Sequence, residues 1–192
     1  MKVGIFGGTF NPIHVGHAII ASHIVQHCDI DKLWLMVSPL NPFKVDQGEQ
    51  IDTHRLRMAE MVSRRLDNVE TSAFEFSLPR PSYTLDTLKA LQAKFPDDEF
   101  ILIIGADNWD AFDRWRDHEE ILQRFRILVY PRQGYDISIP PYLQHQVEIV
   151  DAPMIEVSST SIRQEIKQQG NVSFYLPDEV YHYILRNQLY LE

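Results

Sequence analysis

Short apolar runs that stop abruptly at glycine or proline alternate along this chain with segments of helical spacing, and that alternation restricts it to very few architectures. Residues 3–6 run into Gly7-Gly8, residues 32–37 stop at Ser38-Pro39, and residues 100–104, the strongest strand pattern present, end at Gly105. Runs this short, apolar and bounded by turn residues read as buried strands. Residues 69–76, 127–130 and 147–150 read the same way. Between them, residues 15–28 carry Ile19, Ile20 and Ile24 at helical spacing, and residues 84–95 carry Leu85, Leu88 and Leu91. After a polar loop over 39–50, Asp52 is expected to cap a helix reaching Leu66, with Leu56, Met58, Met61 and Val62 on its apolar side. Residues 119–125 form a further short helix.

Strands alternating with helices imply an α/β fold, a Rossmann-like doubly wound parallel sheet with helices on both faces. Ligands of such sheets sit beyond the carboxyl ends of the strands. The loops after Phe6, Val37, Ile104 and Tyr130 therefore share one edge. Past Ser158 the chain turns helical, over 159–168 and 177–190. No linker or repeat interrupts the 192 residues, so one domain is expected: a parallel core over 1–157 and a helical C-terminal segment over 158–192.

The charge balance, 27 acidic against 18 basic residues, argues against a nucleic-acid surface, which needs a basic stripe to displace counterions. A single cysteine, Cys28, supplies neither a disulfide framework nor a cysteine-rich zinc site. No apolar run approaches a membrane span and no signal-peptide layout opens the chain, so no membrane partner and a reducing cytoplasm are expected. A homo-oligomer is left open.

The chemistry is concentrated in Gly7-Gly8-Thr9-Phe10-Asn11-Pro12-Ile13-His14-Val15-Gly16-His17. It leaves a strand and enters a helix, where backbone N–H groups and the helix dipole favour phosphate. Neither the dinucleotide pattern G-x-G-x-x-G nor the P-loop G-x-x-x-x-G-K-[ST] is present. Instead two imidazoles three residues apart share one face of the first turn, fit to meet phosphate oxygens. A zinc pair is the alternative, but the H-E-x-x-H spacing is missing and no third ligand is evident. The other histidines (His23, His27, His54, His118, His145 and His182) read as ordinary surface groups. A second segment, Val157-Ser158-Ser159-Thr160-Ser161-Ile162-Arg163, precedes a helix. Its hydroxyls can be plain caps, Ser161 and Gln164 forming a capping box. A cation one turn into a helix, Arg163, is mildly unfavourable there unless an anion is near.

These two runs resemble the signatures of the nucleotidyltransferase superfamily. Gly8, Phe10, Pro12, His14, Gly16 and His17 match G-x-[FS]-x-P-x-H-x-G-H, and residues 157–163 match I-S-S-T-x-[IL]-R with valine for the first isoleucine. The resemblance implies that Thr9, His14 and His17 contact the phosphates of ATP, and that Ser158, Thr160 and Arg163 hold the β- and γ-phosphates. Four further segments are similar to the bacterial nicotinate-nucleotide adenylyltransferase family. Asn41-Pro42-Phe43-Lys44 is similar to its P-P-H-K, with Phe43 for histidine; Asn41 and Lys44 are then on the acceptor side, Lys44 neutralising phosphate charge. Pro81-Ser82-Tyr83-Thr84-Leu85-Asp86-Thr87-Leu88 matches S-Y-T-x-D-T-[LI], the region that in the family meets the pyridine carboxyl group, although Thr84 alone would pass for a helix cap. Gly105, Asp107, Phe112 and Trp115 follow G-x-D-x-x-x-x-F-x-x-W, which implies ribose at Asp107 and a pyridine ring at Trp115. The family often has tyrosine after that tryptophan; Arg116 stands here and is expected on the acceptor side, adding charge attraction for the acceptor's carboxylate. Arg132-Gln133-Gly134-Tyr135 is close to R-P-G-[YF], making Arg132 a clamp for the acceptor phosphate.

The resemblance thus implies adenylyl transfer from ATP to nicotinate mononucleotide, by direct in-line attack without a covalent intermediate. A phosphate oxygen is already nucleophilic, so catalysis reduces to positioning and charge neutralisation. Mg²⁺ is expected to be held mainly through the ATP phosphates, with no dedicated protein metal site. The alternatives are the same chemistry on nicotinamide mononucleotide, phosphopantetheine or a flavin nucleotide, and a non-catalytic nucleotide sensor; a sensor could afford to lose His14, His17 or Arg163, and all three are present.

Overall fold

The computed structural model describes residues 1–39 and 45–191. The described residues form a six-stranded, wholly parallel sheet in the order β3-β2-β1-β4-β5-β6. The strands are β1 (Lys2–Gly8), β2 (Lys32–Val37), β3 (Val69–Ser72), β4 (Glu99–Gly105), β5 (Arg126–Tyr130) and β6 (Val147–Ile149). The helices are α1 (Val15–His27), α2 (Val45–Ser63), α3 (Thr84–Lys94), α4 (Ala106–Asp110), α5 (His118–Arg124), α6 (Ser159–Lys167) and α7 (Asp178–Arg186).

Because successive strand residues face opposite sides, the sheet carries two separate cores. Ile101 and Ile103 of β4 pack with Ile20 and Ile24 of α1, Met58 and Val62 of α2, Ile162 and Ile166 of α6, and Val180 and Ile184 of α7. Phe100, Leu102 and Ile104 of the same strand pack with Leu85, Leu88 and Leu91 of α3 and Ile121 of α5. A strand buried on both faces must read as an unbroken apolar run, which is why residues 100–104 stand out.

Several elements differ from the sequence reading. β3 stops at Ser72 rather than continuing to 76, and Phe74–Ser77 makes a 3₁₀ turn. Its partner β2 ends at Val37, with Met36 opposite Ser72, so residues beyond have no ladder to join. The expected loop over 39–50 gives way to α2 from Val45 onward, and Asp52 is not a cap but an interior residue. The first turns of α2 carry only Val45 and Ile51 as apolar residues and offer no helix-periodic stripe. Ser158, not Ser161, caps α6, its hydroxyl oxygen accepting from the Ser161 N–H at 3.0 Å. Tyr83 holds the cap position of α3, and Thr84 is its first residue. The last helix ends at Arg186, short of Tyr190, where Gln188 and Tyr190 adopt positive φ. The short α4 had no expected counterpart.

Candidate active site

The carboxyl ends of β1, β2 and β4 open onto a cleft of about 390 Å³, lined among others by Gly8, Thr9, Ser38, Gly105 and Trp115. It lies where the strand order reverses, between β1 and β4, so the connections on its two sides diverge and leave a gap. A smaller recess beside it is lined by His14, His17, Tyr130 and Arg132.

The two histidines are set by the start of α1. His14 is the N-cap with extended backbone, and its own N–H donates to Nδ1 of His17 at 3.2 Å. The first-turn side chain thus closes back on the cap, as in a capping box. The rings lie 3.8 Å apart at 30°, and the His17 ring meets Phe10 edge-on at 5.0 Å. Gly16 makes room for this: a Cβ there would stand 3.0 Å from the His14 ring. Burial, followed by the nearby Arg132 charge, pushes His14 down to about 4. Burial, then His14, then Arg132 hold His17 well below the usual histidine range. Both imidazoles are therefore neutral near pH 7, and the buried Nδ1 of His14 has no hydrogen-bond partner among the described residues. Negative charge brought to this pair would reverse the shift.

The C-terminal segment closes over the same loop. Arg163 Nη1 donates to the Asn11 carbonyl at 2.6 Å, and Ser159 Oγ donates to the Pro12 carbonyl at 2.8 Å. The Val15 N–H donates to the Tyr175 carbonyl at 3.0 Å, and the Tyr190 hydroxyl donates to Asn11 Oδ1 at 2.7 Å. The two sequence signatures, some 150 positions apart, are in this way brought into direct contact. Ser158 and Thr160 are exposed at the start of α6, and Thr160 Oγ1 lies 3.4 Å from Arg163 Nη2.

Asp107 and Arg132 face each other across the end of β4, Oδ1 to Nε at 3.4 Å, without hydrogen-bond geometry. A Cβ on Gly105 would collide with both, at 2.4 and 3.0 Å, so the glycine is what admits the pair. Arg132 also donates to the Tyr130 hydroxyl at 3.1 Å. It belongs to the histidine side of the site. Thr84 and Trp115 line the other end of the cleft, together with Glu75 and Thr87. Trp115 rests on the buried Phe112, ring centroids 5.2 Å apart, which leaves the tryptophan at the cleft and the phenylalanine in the core. Arg116 is not brought to this cleft: it pairs with Asp117 at 3.2 Å and Asp86 at 3.8 Å and lies over the Tyr83 ring. Asn41 and Lys44 lie outside the described residues.

Four contributors escaped the sequence reading: Arg55, Glu75, Tyr130 and Tyr190. Arg55 had a signal. It falls on the stripe of Met58, Ala59 and Val62, where an apolar residue belongs, with Asp52 one turn earlier. For Glu75 and Tyr190 there was none, since their partners Thr87 and Asn11 are set by tertiary contact.

The model of the cytidylyltransferase-like family matches residues 5–165. A relative from Flavobacterium psychrophilum, named "Probable nicotinate-nucleotide adenylyltransferase", is 42% identical, with 99% of each chain covered. A relative of the same name from Bacteroides thetaiotaomicron is 42% identical over 96% of this chain and 91% of its own. This chain belongs to the nicotinate-nucleotide adenylyltransferase family. Among solved structures, a Plasmodium falciparum nicotinic acid mononucleotide adenylyltransferase complexed with NaAD superposes with a TM-score of 0.81 at 18% identity, covering 100% of this chain and 99% of that one. The same Plasmodium enzyme complexed with APC gives 0.80 at 17% identity, with the same coverage. At such identities the superpositions establish the fold the family member shares with them.

Proposed function

We propose that this family member transfers AMP from ATP to nicotinate mononucleotide, giving nicotinate adenine dinucleotide and pyrophosphate. The observation that carries this reading is the pair of neutral imidazoles at the start of α1, 3.8 Å apart, beside a cleft at the strand-order reversal. The names of the relatives point to the same activity, and the Plasmodium enzyme of the same fold is complexed with NaAD. In this reading the triphosphate runs along the first loop toward α6. Gly8, Thr9 and Phe10 form the loop beneath it, His14 and His17 meet the α- and β-phosphates, and Ser158, Thr160 and Arg163 receive the departing pyrophosphate. Asp107, beyond Gly105, takes the ribose hydroxyls. The acceptor ring enters beside Trp115 and Thr84, and Arg132, freed from Asp107, draws its phosphate toward the histidines.

An oxygen of the acceptor phosphate attacks the α-phosphorus as the bond to the bridging oxygen breaks. Since the nucleophile carries charge already, the protein's part is alignment and stabilisation of the charge that builds on the leaving group. Mg²⁺, carried in on the ATP, would shield phosphate charge. The described donors around the cleft suit that arrangement: imidazole, hydroxyl and guanidinium groups meet phosphate oxygens, and Asp107 is engaged by Arg132. Pyrophosphate release from ATP and Mg²⁺ is the test, with nicotinate and nicotinamide mononucleotide supplied in turn. Release with the acid form is expected; none with either mononucleotide overturns the assignment.

A further inference from the structure

Arg55 is a cation with no exposed surface, on the face of α2 that turns to the sheet. Asp52, one helical turn back, is its carboxylate partner. Its Nη1 donates to two backbone carbonyls, those of Thr9 and of Ser38, the latter at 2.8 Å. These carbonyls belong to different loops, one leaving β1 and one leaving β2, and both residues line the cleft. The Ser38 N–H closes the arrangement by donating to the Gly8 carbonyl at 2.9 Å.

A buried cation is a poor means of gaining stability. Stripping water from it costs several kcal/mol, and apolar residues of similar volume are often neutral or better in its place. The neighbours on the same stripe, Met58, Ala59 and Val62, are such residues. What an apolar side chain cannot do is hold two carbonyls from two loops at once. The Thr9–Phe10 peptide is planar and trans, so its C=O and N–H point in opposite directions. Holding the Thr9 oxygen toward α2 aims the Phe10 N–H away from α2.

We infer that Arg55, held by Asp52, is a positioning residue: it ties the loops after β1 and β2 together and fixes the direction of the Thr9–Phe10 peptide for phosphate transfer. The inference deepens the adenylyl-transfer reading and rests on it. Arg55 touches no reacting atom, so its removal acts on turnover through the loop.

The experiment compares the parent chain with Arg55→Met, Arg55→Lys and Asp52→Asn. It measures kcat, KM for ATP and for nicotinate mononucleotide, thermal unfolding, and amide exchange of residues 8–10. Arg55→Met is expected to lower kcat by about 30-fold or more while moving either KM by less than about threefold, the pattern of a lost transition-state arrangement. Arg55→Lys, with a movable point charge, should recover part of that kcat. Exchange of the residue 8–10 amides in Arg55→Met should quicken by about tenfold or more while the strand amides of β4 stay protected. Should Arg55→Met not fold, Arg55→Lys and Asp52→Asn carry the same comparison, each with reduced kcat and quickened loop exchange expected. A folded Arg55→Met within about threefold of the parent kcat overturns the inference. So does a kcat loss that merely follows the fall in thermal stability across the variants. A parent that releases no pyrophosphate overturns the functional reading instead; loop exchange then decides the role of Arg55 by itself, unchanged rates overturning it.

Discussion

A neutral imidazole beside a phosphate is a donor waiting for charge, and the two at the head of α1 differ from free histidine because burial has removed their solvent. His17→Ala should reduce turnover by about 10²-fold, the usual loss on deleting one preorganised stabilising group; pyrophosphate-release kinetics will read it. The depressed titration has a further consequence with a definite sign. The unfolded chain protonates His14 near 6.5, whereas the folded chain does so only near 4. The stability tied to the neutral form is therefore present above pH 6.5 and is lost as the pH falls from there toward 4. Roughly 3 kcal/mol is the upper limit for this loss. In His14→Gln, whose side chain does not titrate, the decline of thermal stability between these pH values should be visibly shallower. The histidine pair was legible in the sequence as spacing, two rings one turn apart. Its neutrality was not, since that depends on Phe6, Phe10 and Arg132 closing around it.

At the level of elements, the cleft has two ends served by different parts of the chain. The Thr84–Trp115 end is held by a link between the 3₁₀ turn and α3: the hydroxyl of Thr87, a residue 2% exposed, donates to Glu75 at 3.0 Å. Glu75→Ala would leave that hydroxyl buried without its acceptor, at a cost of about 1–3 kcal/mol. Because Thr84 opens the same helix, KM for the pyridine mononucleotide should rise more than KM for ATP, while Glu75→Gln, which still accepts, stays near the parent. Steady-state kinetics and denaturant unfolding together check this. The order and type of nearly all elements could be read from apolar spacing and from glycine and proline stops, as at residues 100–105. The errors fell where those signals fade: the polar opening of α2, and residues 74–77, where a strand-like pattern outlives the partner strand. The two segments that meet in the candidate site were readable because each motif is contiguous, at 8–17 and 157–163. The site was unreadable where a single side chain crosses from another element, as Glu75 and Tyr190 do.

Across the whole molecule, α6 and α7 belong to the same apolar core as α1 and α2. Ile162, Ile166, Val180 and Ile184 are all buried against the β1–β4 region of the sheet. Removal of residues 158–192 would strip this face and also take away Arg163, Ser159, Tyr175 and Tyr190, which bond to the first loop or the start of α1. Such a truncated chain should lose cooperative thermal unfolding and bind a hydrophobic dye, the behaviour of a compact state without fixed packing. The contact between Tyr190 and Asn11 also sets an order in time. A ribosome delivers residue 11 long before residue 190, so the first loop emerges with this anchor still unmade. Residues 8–17 are synthesised early, yet the bond from the Tyr190 hydroxyl to Asn11 can close only after the segment carrying Tyr190 has left the exit tunnel. A nascent chain therefore carries its first loop without this anchor until residue 190 has been made.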